Sequence, residues 1–183
     1  MIREAEESDL DEIYDLIHSS FANEAESDLV RQLILDKDIL INLVFQSLDI
    51  IVGNIVVSKV TFKPNVDLFC GAVAPLSVLS EHQSTGIGSQ LMNSIIKKSE
   101  QMKMDALFVL GDPDYYKRFG FNVSNIQSDY EAKHFQELEL TNDCLVNVNS
   151  KVIYANAFSN LLWEIQKTAQ KPHIFPKTVD TLW

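Results

Sequence analysis

Two glycines, Gly86 and Gly88, stand directly before a run of residues with the apolar spacing of an amphipathic helix. Leu91 and Ile95 lie on the buried face of this helix, and lysines follow toward its end, where they suit the helix dipole. An apolar, strand-like stretch precedes the glycine turn, and residues 106–110 form another. The sequence therefore predicts a strand, a glycine turn, a helix and a further strand, which indicates a mixed α/β fold.

A glycine turn at a helix start suits an anionic ligand. The first helical amides have no partner in the helix, and the helix dipole adds a partial positive charge there. The glycines remove side chains where a ligand would crowd, and successive amides from Ser84 through Ser89 would surround phosphate oxygens. The predicted ligand is a pyrophosphate. A glycine pair at this place also serves a tight turn or close packing, so both interpretations stay open.

Two familiar phosphate motifs do not fit this loop. The dinucleotide fingerprint would need a third glycine at Leu91. A P-loop would need a lysine after Gly88, but Ser89 follows and the first lysine is Lys97. The sequence therefore disfavours a dinucleotide enzyme of that type and a nucleotide hydrolase.

The rest of the chain divides into predicted elements without a linker between domains. A strand is predicted at residues 2–4, a helix from an N-cap at Ser8 or Asp9, a second helix at 24–35, and a hairpin across 41–61 with its turn at 47–49. Pro75 interrupts the apolar run 68–79 and has no amide to donate. It predicts a bulge or a splayed strand edge.

Length and composition indicate one folded domain. The chain has 183 residues, of which 46% are apolar and 22% are charged. No apolar stretch approaches the roughly 20 residues of a membrane span, and the acidic N terminus lacks the basic head of a signal peptide. We therefore predict a cytoplasmic protein without a membrane partner.

The negative charge is concentrated in the first part of the chain. The net charge is −11, and residues 1–38 hold twelve Asp or Glu against three Arg or Lys, a local net charge of −9. Such a field repels nucleic-acid phosphates and would attract a cationic amine near a binding site. We predict no nucleic-acid partner; solubility is the alternative role of this charge.

Cys70 and Cys144 are far apart in the sequence and belong to no metal-type or CxxC spacing. Buried, reduced thiols are the prediction for both. The histidines have no ligand-type neighbours either. We therefore predict no metal site.

Two motifs together resemble the GNAT superfamily of N-acetyltransferases. Residues Gln83 to Gly88 match its Gln/Arg-x-x-Gly-x-Gly/Ala loop, and Tyr116 with Gly120 and Phe121 matches its Tyr-x-x-x-Gly-Phe ending. The sequence YYKRFGF at residues 115–121 is similar to that of a bacterial subgroup of this superfamily. The resemblance extends from residue 2 to about residue 121, and residues 122–183 match less distinctly.

The resemblance implies a GNAT-like fold with a mostly antiparallel sheet, and acetyl-coenzyme A (acetyl-CoA) as cosubstrate. The Val78 amide would face the thioester carbonyl and stabilise the developing oxyanion. The implied cosubstrate contacts, mostly through the backbone, are Leu76, Val78, Gln83, Ser84, Gly86, Ile87, Gly88 and Ser89.

The implied proton donor for the departing thiolate is Tyr116, because a phenol with a pKa near 10 is protonated at neutral pH. The alternative is that Tyr116 only packs with neighbouring aromatic rings. Glu81, at the end of the central strand, is the candidate general base, although no motif fixes this residue. Asp112 is predicted to cap the short helix that holds Tyr116.

The resemblance implies direct transfer of an acetyl group to a primary amine in a ternary complex. The acidic first helices motivate the hypothesis that this amine is cationic. The alternative function is an acyl-CoA-binding sensor or regulatory module that has lost transfer activity.

The C-terminal third is less informative. We predict a single domain over 1–183, with a core at 1–125 and an extension at 126–183 that completes or covers the sheet. Residues 144–158 look strand-like and residues 161–170 look helical. Trp163 and Trp183 would pack within the chain or against a second subunit, which leaves a homodimer open.

Overall fold

The computed structural model describes residues 1–21 and 24–159. Its helices are α1 Leu10–Phe21, α2 Ala25–Leu35, α3 Ile87–Gln101 and α4 Pro113–Tyr116. Its strands are β1 Ile2–Glu4, β2 Ile39–Ser47, β3 Ile50–Lys63, β4 Cys70–Val78, β5 Ala106–Leu110, β6 Asn122–Val123, β7 Phe135–Glu139 and β8 Lys151–Tyr154. The helix predicted at 161–170, Trp163 and Trp183 lie outside the described residues.

The strands form one open sheet in the order β1-β2-β3-β4-β5-β7-β6, and β8 pairs with the far end of β3. Within the described ranges, β4 and β5 are parallel and the other strand pairs are antiparallel. A parallel pair needs a crossover, which α3 provides. The mixed and mostly antiparallel α/β fold predicted from the sequence is therefore confirmed.

Helices cover both faces of the sheet. The fully buried residues Leu91, Met92 and Ile95 of α3 pack on one face, in the same apolar cluster as Tyr115 and Tyr116. Helices α1 and α2 pack on the other face through apolar stripes at helical spacing. The apolar stripes predicted for α1, α2 and α3 therefore face the sheet.

Strands β4 and β5 separate halfway along β4. Their pairing runs from Cys70 and Ala106 to Val73 and Val109 and stops there, while β4 continues to Val78. Between the pairs Ile55–Leu76 and Val57–Val73, the two β4 residues Ala74 and Pro75 oppose the single β3 residue Val56, which is a β-bulge. The bulge predicted from the proline is confirmed, and it lies where the two strands part.

Two local predictions need correction. The N-cap predicted at Ser8 or Asp9 is wrong: α1 begins at Leu10, but a 3-10 turn at Glu7–Asp9 precedes it, and the N-cap of that turn is Glu6. The Asp9 carboxylate accepts a hydrogen bond from the Glu6 amide at 2.7 Å. Asp9, a residue type common at N-caps, therefore occupies the third position of the turn. Of residues 144–158, only Lys151–Tyr154 form a strand, since residues 142–147 form turns.

Three further findings bear on the predictions for the chain as a whole. Strand β7 lies between β5 and β6, so a segment beyond residue 125 occupies an inner position of the sheet. Both cysteines are free, as predicted, but Cys144 is half-buried whereas Cys70 is buried. No helix in the described part of the chain combines the length and the apolar character of a membrane span.

Candidate functional site

The end of β4 turns a strand edge toward the gap between β4 and β5. The Leu79 amide donates to the Val52 carbonyl at 3.0 Å, so Val78 and Gly53 face each other as a pair without mutual hydrogen bonds. The amide and carbonyl of Val78 therefore point away from β3. Those of Leu76, two residues earlier, have the same orientation. Both amides face the side that β5 has left.

The Val78 carbonyl connects three segments of the chain. It accepts hydrogen bonds from Gln83 Nε2 at 3.1 Å and from Ser20 Oγ at 3.3 Å. Gln83 begins the glycine loop, and Ser20 lies in the last turn of α1. The end of β4, the glycine loop and the end of α1 are therefore held to one another at this carbonyl.

The loop between β4 and α3 passes through two left-handed positions. Ser84 has a φ of 59° and Gly86 a φ of 86°. A Cβ at Gly86 would meet no atom within 4 Å, so the backbone conformation, and not the protein packing, favours glycine there. Thr85 Oγ1 donates to the His82 carbonyl at 2.5 Å and closes the turn.

The start of α3 presents amides that have no helical partner. The first helical hydrogen bond joins the Gln90 amide to the Gly86 carbonyl at 3.0 Å, so the amides of Ile87, Gly88 and Ser89 precede it. No side chain caps this helix, and its first turn carries no acidic residue. This helix start therefore offers donors and a partial positive charge to an anion.

Gly88 is the point where β4, α3 and α4 meet. A Cβ built on Gly88 would lie 3.1 Å from the Tyr115 hydroxyl oxygen, 3.8 Å from Val78 Cγ2 and 3.9 Å from Leu76 Cδ2. Close approach, and not backbone conformation, is what this second glycine provides. The predicted loop, the predicted β4 residues and the tyrosine pair are therefore neighbours in the structure.

Tyr116 lies in the core beside this meeting point. Its ring centroid is 4.9 Å from that of Tyr115 and 5.9 Å from that of Phe121, and the residue is 4% exposed. Burial raises the pKa of the Tyr116 phenol above its ordinary value, with the neighbouring Tyr115 a smaller cause. The phenol is therefore protonated at neutral pH, and the raised pKa also makes it a weaker acid than an exposed tyrosine.

The loop between β5 and α4 is held from β7. Gln136 Nε2 donates to the Gly111 carbonyl at 3.1 Å, and the Gly111 amide donates to the His134 carbonyl at 3.0 Å. The Asp114 amide donates to Asp112 Oδ1 at 2.9 Å, which confirms that Asp112 caps α4. The position of Tyr116 thus depends on contacts with a strand distant in sequence.

Glu81 lies on an exposed 3-10 turn after β4. A backbone hydrogen bond and the Ser80 hydroxyl, which donates to Glu81 Oε2 at 3.1 Å, lower the pKa of this carboxyl. A lowered pKa makes a carboxylate a weaker base. The lowered pKa therefore does not support the predicted role of Glu81 as a general base.

Three residues near the site were not singled out from the sequence: Ser20, Arg118 and Gln136. Ser20 and Gln136 bond to backbone atoms 58 and 25 residues away, so no local pattern indicates their contacts. Gln136 stands between Phe135 and Glu137 in β7, and its polar side chain suggests an exposed position, yet it is 1% exposed. Arg118 was visible inside the YYKRFGF motif, but the motif carries no information about what its guanidinium contacts.

The fold and site together define a class of protein. An open sheet whose parallel strands part beside an uncapped helix start is the arrangement implied by the GNAT resemblance. A family profile described as the acetyltransferase (GNAT) domain matches residues 1–124. The chain belongs to the GNAT acetyltransferase family.

Individual relatives agree with this assignment. The chain is 30% identical to the uncharacterized N-acetyltransferase YjhQ of Escherichia coli over 132 residues, 70% of this chain and 73% of that protein. A crystal structure of Escherichia coli YhbS in complex with CoA has a TM-score of 0.83 at 28% identity, covering 87% of this chain and 91% of the other. A GNAT family acetyltransferase from Brucella melitensis in complex with acetyl-CoA has a TM-score of 0.76 at 26% identity, covering 86% and 97%.

The predicted family, enzyme class and cosubstrate are therefore confirmed: the protein is an acetyl-CoA-dependent acetyltransferase. The roles of individual site residues stay predictions.

Proposed function

We propose that the protein transfers an acetyl group from acetyl-CoA to a primary amine by direct attack in a ternary complex. The observation that carries this proposal is the meeting of β4, the start of α3 and the tyrosine-bearing α4 around Gly88. The amides of Ile87 to Ser89 would bind the pyrophosphate, and the edge of β4 at Leu76 and Val78 would pair with the amides of the pantetheine arm.

The chemistry uses one amide and one phenol of this chain. A neutral amine nitrogen adds to the thioester carbonyl while the Val78 amide stabilises the negative charge on its oxygen. The carbon–sulfur bond then breaks, and the thiolate takes the proton of the Tyr116 hydroxyl. The products are the N-acetylated amine and free coenzyme A, and Tyr116 regains a proton from solvent.

The amine must lose protons during the reaction. Glu81 is the proposed acceptor and would act through water, since its side chain is exposed at the end of β4. Glu137 has a pKa raised by burial, but it pairs opposite Phe108 in the part of the sheet where β4 and β5 are still joined. Glu81 therefore stays the candidate of this mechanism.

The acceptor is proposed to be a cationic amine such as a polyamine, an aminoglycoside or a lysine side chain. The end of α1 reaches β4 through Ser20, and α2 begins soon afterwards with Glu26 and Asp28 in its first turn. This end of the two helices therefore adds negative charge beside the gap in the sheet. A panel of amines tests the idea: kcat/KM should be higher for acceptors with a net positive charge than for neutral or anionic ones, and it should fall with added salt. A neutral or anionic best substrate would refute it.

The catalytic assignment is tested by release of free thiol with acetyl-CoA and the best amine. Tyr116→Phe should lower kcat about 100-fold, a loss typical of removing a general acid, while the Kd for acetyl-CoA stays within about twofold. Tyr14→Phe is the matched control. Tyr14 is also a buried tyrosine with a raised pKa, but it lies in α1, in the apolar cluster on the opposite face of the sheet.

Each outcome of this assay has a definite meaning. Equal kcat values for Tyr116→Phe and wild type would remove the proton-donor role and leave Tyr116 as a packing residue. Glu81→Gln with unchanged turnover would likewise remove the base assignment. Acetyl-CoA binding without turnover of any amine would favour the binding module over the enzyme.

A further inference from the structure

We propose that Arg118 binds the ribose 3′-phosphate of coenzyme A and makes the protein select this form over coenzyme that lacks the phosphate. The inference rests on the proposed function, because it takes acetyl-CoA as the ligand of the glycine loop. It adds a side chain that determines specificity to a binding site whose other proposed contacts with the ligand are mostly backbone amides.

Arg118 is held above an aromatic ring that adjoins the loop. Its guanidinium carbon lies 4.0 Å from the ring centroid of Tyr115 and 5.0 Å from that of Phe119. Such contacts orient a guanidinium while its N–H edge stays available to a ligand. The hydroxyl of Tyr115 in turn approaches Gly88, to 3.1 Å from the position of a Cβ. One aromatic ring therefore separates the cation from the start of α3.

The charge of Arg118 is not used by a carboxylate. None of the ion pairs formed within the described ranges includes it. The neighbouring Lys117 differs, because it pairs with Asp114 at 2.5 Å. In a chain with a net charge of −11, an exposed cation kept clear of carboxylates beside an anion-binding loop is available for a ligand phosphate.

The chemistry of coenzyme A identifies which phosphate this is. The molecule carries a pyrophosphate and, separately, a phosphate on the 3′ oxygen of the ribose. The amides at the start of α3 suit the pyrophosphate, whose charge they meet along the helix axis. The 3′-phosphate is a further dianion with terminal oxygens that a guanidinium binds through two parallel hydrogen bonds. Arg118, one ring away from the pyrophosphate loop, is the side chain suited to it.

A thermodynamic cycle with two ligands tests the assignment. Acetyl-CoA and 3′-dephospho-acetyl-CoA are titrated calorimetrically into wild type, Arg118→Ala and Lys117→Ala. Wild type should bind acetyl-CoA roughly tenfold more tightly than the dephospho form, as expected for one charge-assisted pair near the surface. Arg118→Ala should bind both ligands equally, and Lys117→Ala should keep the wild-type preference. Thermal unfolding checks that all three proteins are folded.

The possible failures are distinct from one another. If Arg118→Ala weakens both ligands by the same factor, the residue acts by supporting Tyr115 and the inference is wrong. If wild type binds both ligands equally, no residue reads the 3′-phosphate, and the inference fails while the proposed function stands. If wild type binds neither ligand, the proposed function and the inference both fall.

Discussion

At the scale of single residues, the two glycines of the loop serve different physical needs. The sequence analysis treated them as a pair that serves either room for a ligand or a tight turn and close packing. Gly86 is set by its φ of 86° and has open space where a Cβ would be, whereas Gly88 is enclosed by Tyr115, Val78 and Leu76. Substitutions at the two positions should therefore act differently, through backbone strain at Gly86 and through crowding at Gly88.

Gly88→Asp should abolish acetyl-CoA binding in a protein that is still folded. The new side chain meets the Tyr115 hydroxyl, and its charge opposes the pyrophosphate at the helix start. We expect the affinity to fall at least 100-fold in a calorimetric titration, from crowding and repulsion together.

The matched control is Asn93→Asp, which adds the same charge to an exposed position of α3 without touching the loop. It should change the affinity less than about threefold, because screening weakens an exposed charge at this distance. Wild-type affinity in Gly88→Asp would contradict the binding role of the loop.

At the scale of elements, the short helix α4 depends on β7 for its position. The helix has four residues, too few to be stable alone. Its cap at Asp112 is local, but the preceding Gly111 is held by Gln136 and by the His134 carbonyl. The Gln136 Oε1 atom is buried and has no hydrogen-bond partner in the described part of the chain. Gln136 is thus a positioning residue for the tyrosine-bearing turn.

Gln136→Met should lower kcat about tenfold while the free energy of unfolding changes by less than about 1 kcal/mol. The substitution keeps the shape and removes the donor to Gly111, but it also removes a buried acceptor without a partner, so the two stability effects oppose each other. Steady-state kinetics and urea unfolding measure the two quantities.

A comparison variant is Ser124→Ala, which removes the hydrogen bond to the neighbouring Glu137 and leaves Gly111 untouched. It should keep a wild-type kcat. Parallel loss of stability and of turnover in Gln136→Met would instead indicate a purely structural role.

At the scale of the whole molecule, the acidic N-terminal segment has more than one use. Part of its charge holds the fold together: Asp9 binds Arg3 through two hydrogen bonds of 2.6 and 2.9 Å, and Glu12 accepts the Ile51 amide at 2.7 Å. Lys98 of α3 pairs with Glu4. Only the remaining acidic groups are available to attract a substrate, so the net charge alone overstates the field near the site.

The Arg3–Asp9 pair should make stability depend on pH. The hydrogen bond from Arg3 lowers the pKa of Asp9, so its stabilisation is present above the unfolded pKa near 4 and is lost as pH falls through the folded value. Asp9→Asn should cost about 1–2 kcal/mol at pH 7, and its difference from wild type should shrink below about pH 4. Urea unfolding of both proteins at pH 7 and pH 3 measures the difference in the free energy of unfolding.

The exposed pair of Glu4 and Lys98 provides the control, and Glu4→Gln should have little effect at either pH because solvent screens the pair. The same difference between Asp9→Asn and wild type at pH 7 and pH 3 would contradict the ion-pair explanation.

The accuracy of the sequence predictions follows the distance over which each contact acts. The β2–β3 turn, strand β5, the Pro75 bulge and the Asp112 cap depend on neighbouring residues, and each was predicted correctly. The N-cap before α1 was misassigned because the Asp9 carboxylate accepts hydrogen bonds from the Glu6 amide and from the Arg3 guanidinium. The strand-like run at 144–158 was wrong for most of its length, since apolar content does not distinguish strand from packed turns.

Local sequence decides the glycine loop, the uncapped helix start and the identity of the tyrosine, because backbone conformation and capping act within a few residues. Long-range packing decides which of these groups meet. The contact of Gly88 with Tyr115, the hydrogen bond of Ser20 to Val78, and the insertion of β7 beside β5 join residues far apart in sequence. No periodicity or spacing encodes such contacts, which form only when apolar faces bury against one sheet and the strands find their order.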